Sequence, residues 1–254
     1  MNRTRMPCSP HLAALAAVGI ASIAPAQDWQ RQSPLPTNRP LYSVAFSTPM
    51  HGFVVALNGT LCETLDGGQT WTTRFQQPYS TDPMYKIVFA DEMHGYITGN
   101  PGAPFNMRTT DGGATWLPMA NLNLGSTYDI DFITPTTGFT SPGGFLVGFT
   151  TDGGQTWEER FHDPALKWWS MDFVSETTGL VSGYVFSTFP RVEGLFRTTD
   201  GGRTFERVYD RVGDPVWLSP TEAIAFEVET NVAAQVSVVH THRSFDAGQT
   251  WSLV

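Results

Sequence analysis

Thr64-Leu65-Asp66-Gly67-Gly68-Gln69-Thr70-Trp71 returns four more times along the 254-residue chain, and that recurrence decides the fold. The copies run from Thr109 to Trp116, Thr150 to Trp157, Thr198 to Phe205 and Ser244 to Trp251, the last with Ala247 in place of the first glycine. The shared pattern is [ST]-x-D-x-G-x-T-[WF]. Its aspartates stand at 66, 111, 152, 200 and 246, spaced 45, 41, 48 and 46 residues apart. A period of this size is the length of one small antiparallel sheet in a radially repeated architecture.

Each position in the motif has a physical task. The carboxylates of Asp66, Asp111, Asp152, Asp200 and Asp246 can accept N–H groups of their own turn, as in an Asx turn. The glycine two residues on, such as Gly68 or Gly113, supplies a positive φ at low steric cost. The hydroxyls of the leading Ser or Thr and of the later Thr can tie the turn from either side. The closing aromatic starts the next strand and buries a large ring between sheets. The motif is therefore a device of the fold and not in itself an active site.

Outward from the motif the rest of the period repeats too. A strand-like run lies upstream of each of the first four copies: Leu41 to Phe46, Met84 to Phe89, Thr127 to Phe132 and Trp168 to Phe173. Apolar residues alternate within these runs, as strands require. A turn follows (His51-Gly52, His94-Gly95, Thr137-Gly138, Thr178-Gly179), then a second strand such as Phe53 to Leu57. Asn58-Gly59 marks a tight hairpin into a third strand. The reading is all-β: a β-propeller of about five four-stranded blades, with the motif turn between the third and fourth strands. The fifth unit, from about Asp214, is the most divergent, and Val216-Trp217-Leu218 lacks an aromatic at its end. Asp28-Trp29-Gln30-Arg31-Gln32 resembles an extra fourth strand that competes with Trp251 to Val254 for one place.

The N-terminus reads as a secretory signal. Arg3 and Arg5 precede an apolar run from Leu12 to Ile23, and Ala24-Pro25-Ala26 offers the small residues of a cleavage site. Cleavage is expected after Ala26, leaving one domain over 27–254 in a secreted or periplasmic location. The apolar run is short for a membrane span, so no stable membrane insertion is expected. Net charge is −9 with 15% charged residues, a balance that disfavours a nucleic-acid partner. Of the two cysteines, Cys8 lies in the signal, so Cys62 has no partner and reads as a buried apolar strand residue.

With these units in view, the sequence resembles the Asp-box, or bacterial neuraminidase repeat, superfamily. Within it the chain is most similar to propellers like the photosystem II stability and assembly factor. Val44-Ala45-Phe46 through His51-Gly52-Phe53 to the box at 64–71 carries the resemblance. So does Ile87-Val88-Phe89 through His94-Gly95-Tyr96 to the box at 109–116. The same box occurs in sialidases, xyloglucan-degrading enzymes, sortilin-type receptors and assembly factors, so the resemblance implies architecture and not an activity.

The search for chemistry gives few convergent groups. A sialidase needs three arginines around a carboxylate, and here arginines such as Arg74, Arg160 and Arg207 fall next to boxes or on fourth strands. A different glycosidase needs two facing carboxylates, for which Asp131 and Asp172 on inner strands are the candidates. His240-Thr241-His242 can chelate but has no evident third ligand, so no metal or other cofactor is expected. The leading expectation is a non-catalytic module that presents the mouth of its central channel to a protein or glycan. Tyr42, Tyr85, Tyr128, Asp129, Trp168 and Trp169 form its candidate surface. A carbohydrate-active hydrolase is the alternative.

Overall fold

The computed structural model describes residues 35–76, 82–100, 106–120, 126–186, 192–210, 213–231 and 236–254. The signal-like segment and Asp28 to Gln32 lie outside the described residues. Among the described residues, twenty strands form five antiparallel sheets of four, each paired in chain order. Blade 1 comprises β1 (Leu41–Phe46), β2 (Gly52–Ala56), β3 (Thr60–Thr64) and β4 (Thr72–Phe75). Blade 2 comprises β5 (Met84–Phe89), β6 (Gly95–Gly99), β7 (Met107–Thr109) and β8 (Leu117–Pro118). Blade 3 comprises β9 (Thr127–Phe132), β10 (Gly138–Pro142), β11 (Leu146–Thr150) and β12 (Glu158–His162). Blade 4 comprises β13 (Leu166–Phe173), β14 (Gly179–Val185), β15 (Val192–Thr198) and β16 (Glu206–Tyr209). Blade 5 comprises β17 (Asp214–Trp217), β18 (Ala223–Asn231), β19 (Val236–Ser244) and β20 (Ser252–Leu253). The protein is a five-bladed β-propeller.

The box turn is built the same way in all five blades. In blade 1 the Thr64 hydroxyl donates to Asp66 Oδ1 at 2.7 Å and accepts the Gly68 N–H at 2.8 Å. Thr70 donates its N–H to Asp66 Oδ1 at 2.8 Å and its hydroxyl to Oδ2 at 2.5 Å. Gly67 and Gly68 have φ of 70° and 88°, so the turn needs two left-handed residues in succession. In blade 5 Ala247 takes the first of these places at φ 60°. The N–H of Gly67 donates to the Met50 carbonyl at 2.8 Å, which fastens each box to the β1–β2 type of turn beside it. Boxes therefore crowd one face of the ring, and the inner strands begin on the other.

Neighbouring blades pack through one repeated contact. The second-strand residue Phe53 stacks on Phe89 of the next blade, Tyr96 on Phe132 and Phe139 on Phe173, with ring centroids 5.5, 3.4 and 3.5 Å apart. Leu180 of blade 4 meets Trp217 of blade 5 in the same way. The terminal aromatic also lies over the first residue of its own second strand. A Cβ on Gly52, Gly95, Gly138 or Gly179 would fall 2.6, 2.7, 2.7 or 2.4 Å from that ring. Those glycines thus serve packing at the start of the strand and not the turn itself. Blade 5 is not deficient here: Trp217 pairs with Ala223 as Phe46 pairs with Gly52, so Trp217 is the terminal aromatic and the sequence register was one residue too long.

β20 fills the fourth place of blade 5, pairing His242 with Leu253 and Arg243 with Ser252. Inner strands pack in succession from β1 to β17, yet no comparable contact joins β17 back to β1 among the described residues. The ring therefore has a seam between blades 5 and 1. Cys62 is buried and free, its thiol raised by burial and pointed at the Pro36 carbonyl 3.4 Å away.

Candidate functional site

The inner-strand carboxylates are the groups a hydrolase would need, and the structure commits them to the backbone of the next blade. The Phe173 N–H donates to Asp131 Oδ2 at 2.6 Å, and the Trp217 N–H donates to Asp172 Oδ2 at 2.6 Å. The Trp217 indole N–H adds a bond to the Asp172 carbonyl at 3.0 Å. Asp131 is 9% exposed and Asp172 4%. Side chains at this repeat position, the candidates for the catalytic alternative, staple blade 3 to blade 4 and blade 4 to blade 5. Buried acceptors in this role stabilise because leaving those N–H groups unpaired would cost about 1–3 kcal/mol each.

Asp129 is likewise withdrawn from the surface, at 1% exposure. It accepts the Met171 N–H at 2.8 Å, its neighbour Ile130 N–H at 2.9 Å and Lys86 Nζ at 3.1 Å. The Asp129 carboxylate raises the Lys86 ammonium above its ordinary value, with Asp131 and Asp214 adding to the field. Burial pushes the Asp129 carboxyl above its ordinary value, against the opposing pull of the Lys86 ammonium and the Met171 and Ile130 N–H groups. The result is a polar clamp between blades 2, 3 and 4.

Trp168 is withdrawn from the expected binding surface. It is fully buried among Phe161, Phe196 and Phe205, with centroids 6.1, 5.0 and 5.4 Å away, and cannot touch a partner. A register shift between Trp168 and Ser170 puts Trp168, in place of Trp169, on the face of Met171 and Phe173. Trp169 is partly exposed and stacks near Tyr184, 5.2 Å away, which continues to Phe186 at 5.0 Å.

The remaining aromatics do assemble. Tyr42 meets Tyr85 edge-on at 5.8 Å, and Tyr85 meets Tyr128 at 5.2 Å. Lys167 Nζ stands 4.3 Å from the Tyr128 ring centroid and donates to the Gly143 carbonyl at 3.1 Å. Tyr85 donates to Asn100 Oδ1 at 3.4 Å, and Asn100 in turn donates to Asp82 at 2.6 Å. Burial raises the Tyr85 hydroxyl pKa. All these residues sit where inner strands begin, on the face away from the boxes. They form an aromatic arc with one cation at the channel mouth. Sequence reasoning missed Lys167, Tyr184 and Phe186. The signal for the last two was the longer second strand of blade 4, which carries Tyr184 past the ends of its five-residue counterparts.

Other candidates resolve into structure. His242 is buried, with Nδ1 2.9 Å from the Tyr209 hydroxyl and Nε2 2.9 Å from Glu227, a polar link between blades 4 and 5. Among the described residues no group of three or more His, Cys, Asp or Glu side chains is placed to hold a metal. A cavity between blades 2 and 3, lined by Thr98, Asn106 and Trp157 among others, holds about 10 Å³, room for one water and not for a sugar.

This architecture and its turns define the chain as an Asp-box β-propeller. Within that class it is similar to photosystem II assembly factors. The family model described as photosynthesis system II assembly factor YCF48 matches residues 21–125, and the BNR/Asp-box repeat matches residues 149–159. The chloroplast photosystem II stability/assembly factor HCF136 of Cyanidioschyzon merolae is 40% identical over 67 residues. That match spans 26% of this chain and 15% of the relative, a small part of the latter's length. The structure of YCF48 from the same organism superposes with a TM-score of 0.56 at 16% identity, covering 88% of this chain and 87% of that one. A GH74 enzyme from Niastella koreensis gives 0.60 at 14% identity, covering 84% and 38%. Both show a shared fold.

Proposed function

We propose that this chain is an exported, non-catalytic module that binds a protein partner at the mouth of its propeller channel, in the manner of an assembly factor. The observation that carries the reading is the division of labour among its residues. Asp129, Asp131 and Asp172, the groups chemistry would use, are consumed as acceptors of backbone N–H groups, while Tyr42, Tyr85, Tyr128 and Trp169 remain at the rim. Rigid aromatic side chains lose little entropy on binding and are enriched at contact hot spots. The resemblance to assembly factors supports a protein as the partner, and the signal-like pattern at Arg3 to Ala26 supports export. A glycan is the other occupant that tyrosine and tryptophan rings accept.

The test is selection of a displayed random-peptide library on the purified protein, beside a glycan array. Peptide enrichment that disappears in Tyr85→Ala/Trp169→Ala, at an unchanged melting temperature, supports the reading. Peptide binding that survives both substitutions would place the contact elsewhere. Binding of glycans alone would replace the protein partner, and turnover of a glycan would overturn the non-catalytic assignment.

A further inference from the structure

We infer that the channel mouth takes a positively charged side chain of its protein partner, a lysine or an arginine, beside Asp214 on blade 5. The inference rests on the reading of the mouth as the contact and names the chemistry that enters it. Counting back four residues from the terminal aromatic of each inner strand gives Tyr42, Tyr85, Tyr128, Trp169 and Gly213. In blades 1, 2 and 4 the ring is carried on a bulge. Pairing passes from Leu41 to Ser43, from Met84 to Lys86 and from Trp168 to Ser170, and skips Tyr42, Tyr85 and Trp169. A bulge re-aims the side chain it carries. Four blades thus place a ring at this level and the fifth places none. The gap is built in, because a Cβ on Gly213 would lie 2.8 Å from the backbone carbonyl of Phe226.

One residue further along, the same count gives Ser43, Lys86, Asp129, Ser170 and Asp214. Three of these reach the next blade. Ser43 donates to the Ile87 carbonyl at 3.5 Å, Lys86 Nζ stands 3.1 Å from Asp129, and Asp129 accepts the Met171 N–H at 2.8 Å. Asp214 differs from Asp129 at the same repeat position. Asp129 is 1% exposed, whereas Asp214 is exposed, and among the described residues no side chain donates to its carboxylate. Its charge still acts on the Lys86 ammonium, so it stands within electrostatic reach of the channel.

A carboxylate open to water beneath a gap in a row of electron-rich rings suits an organic cation. The rings already hold one, since Lys167 Nζ stands 4.3 Å from the Tyr128 ring centroid. The chain's own cations at this level are engaged, Lys86 by Asp129 and Lys167 by the Gly143 carbonyl at 3.1 Å. Tyr42 and Trp169 belong to the blades on either side of the gap, and Tyr42 is 45% exposed. They offer apolar surface to the stem of a long basic side chain. A divalent metal needs several oxygen ligands, and no such group forms among the described residues. The net charge of −9 favours a basic partner in the same sense.

Nuclear magnetic resonance titration of the isotope-labelled protein with N-acetyl-arginine and N-acetyl-lysine methylamides tests this. The expected result is saturable shifts at the Gly213 and Asp214 amides and the Trp169 indole. Asp214→Asn should weaken the binding by about tenfold, the loss of a charged hydrogen-bond partner, with an unchanged melting temperature. Trp169→Ala should weaken it by about threefold. N-acetyl-norleucine methylamide, which has the stem without the charge, should leave these signals in place. Absence of saturable shifts overturns the inference, as do shifts centred elsewhere, an equal response to norleucine, or indifference to Asp214→Asn. Selected peptides that bind through Tyr85 and Trp169, lack basic residues and ignore Asp214→Asn would keep the mouth as the contact and overturn this inference alone. A library that yields no binder would overturn the wider reading, while the amide titration still reports on Asp214.

Discussion

Blades 2 to 4 and the pair formed by blades 1 and 5 share one repeat but not one environment. Of 17 large hydrophobic side chains that stand exposed among the described residues, 14 belong to blade 5 or to blade 1 with its leading segment. The second box residue follows the same division: Thr110, Thr151 and Thr199 in the middle blades, Leu65 and Phe245 at the seam, the last two 69% and 65% exposed. The difference teaches that the repeat sets backbone geometry, while burial is set by whether a neighbour exists on each side. The middle blades are covered along both faces, whereas blade 1 leaves Leu41 and Val44 of its inner strand exposed while Val54 and Cys62 on the same face stay buried.

The largest effect should come from the middle of the ring. Trp168→Ala removes a buried ring from the contact of blades 3 and 4 and should cost about 3–5 kcal/mol in denaturant unfolding. Two substitutions at one repeat position sharpen the contrast. Ile87→Ala should cost about 2–4 kcal/mol, and Val44→Ala under about 0.5 kcal/mol, as for an exposed site. Equal losses would mean that the seam is closed. Lys86→Met leaves the Asp129 carboxylate without its cation and should cost about 3 kcal/mol at neutral pH. The loss should shrink in acid, where Asp129 can take a proton. Circular dichroism melts at the two pH values check both parts.

The smallest effect is the acid limb. Thr70, Thr115 and Thr250 hydroxyls, followed by backbone N–H donors, hold Asp66, Asp111 and Asp246 at about 2, below the ordinary 3.8. At Asp200 and Asp152 burial pushes upward, and the Thr204 and Thr156 donors outweigh it. A lowered folded-state value means stability that is complete above about pH 4 and is lost as pH falls toward 2. Thermal melts should be flat above pH 4 and decline below it. A decline beginning near neutrality would point away from the boxes.

The blade count, the box turns and the four-stranded blades were legible because the repeat is written in residues whose chemistry is local: an Asp to accept, a Gly for positive φ, an aromatic to bury. The orientation of residues near the start of each inner strand was not. Register shifts between Leu41 and Ser43, Met84 and Lys86, and Trp168 and Ser170 break the two-residue alternation. Trp168 and Trp169 thus could not be told apart from sequence, and one proved to be core. Asp129, Asp131 and Asp172 look catalytic in sequence because a carboxylate that accepts a neighbour's N–H carries no local mark. Its donor lies 42 to 45 residues away, one blade on. The seam was invisible for the same reason, since a strand's pattern does not state whether another blade stands beside it.

The account rests on separating residues that hold the ring from residues that meet a partner. The most direct test measures stability and peptide binding together for Asp131→Asn and for Tyr128→Ala. The account predicts that Asp131→Asn lowers the melting temperature and leaves the affinity of the folded protein unchanged, while Tyr128→Ala weakens binding and leaves the melt in place. Loss of binding in Asp131→Asn at an unaltered melting temperature would return the carboxylates to the functional site and contradict the account.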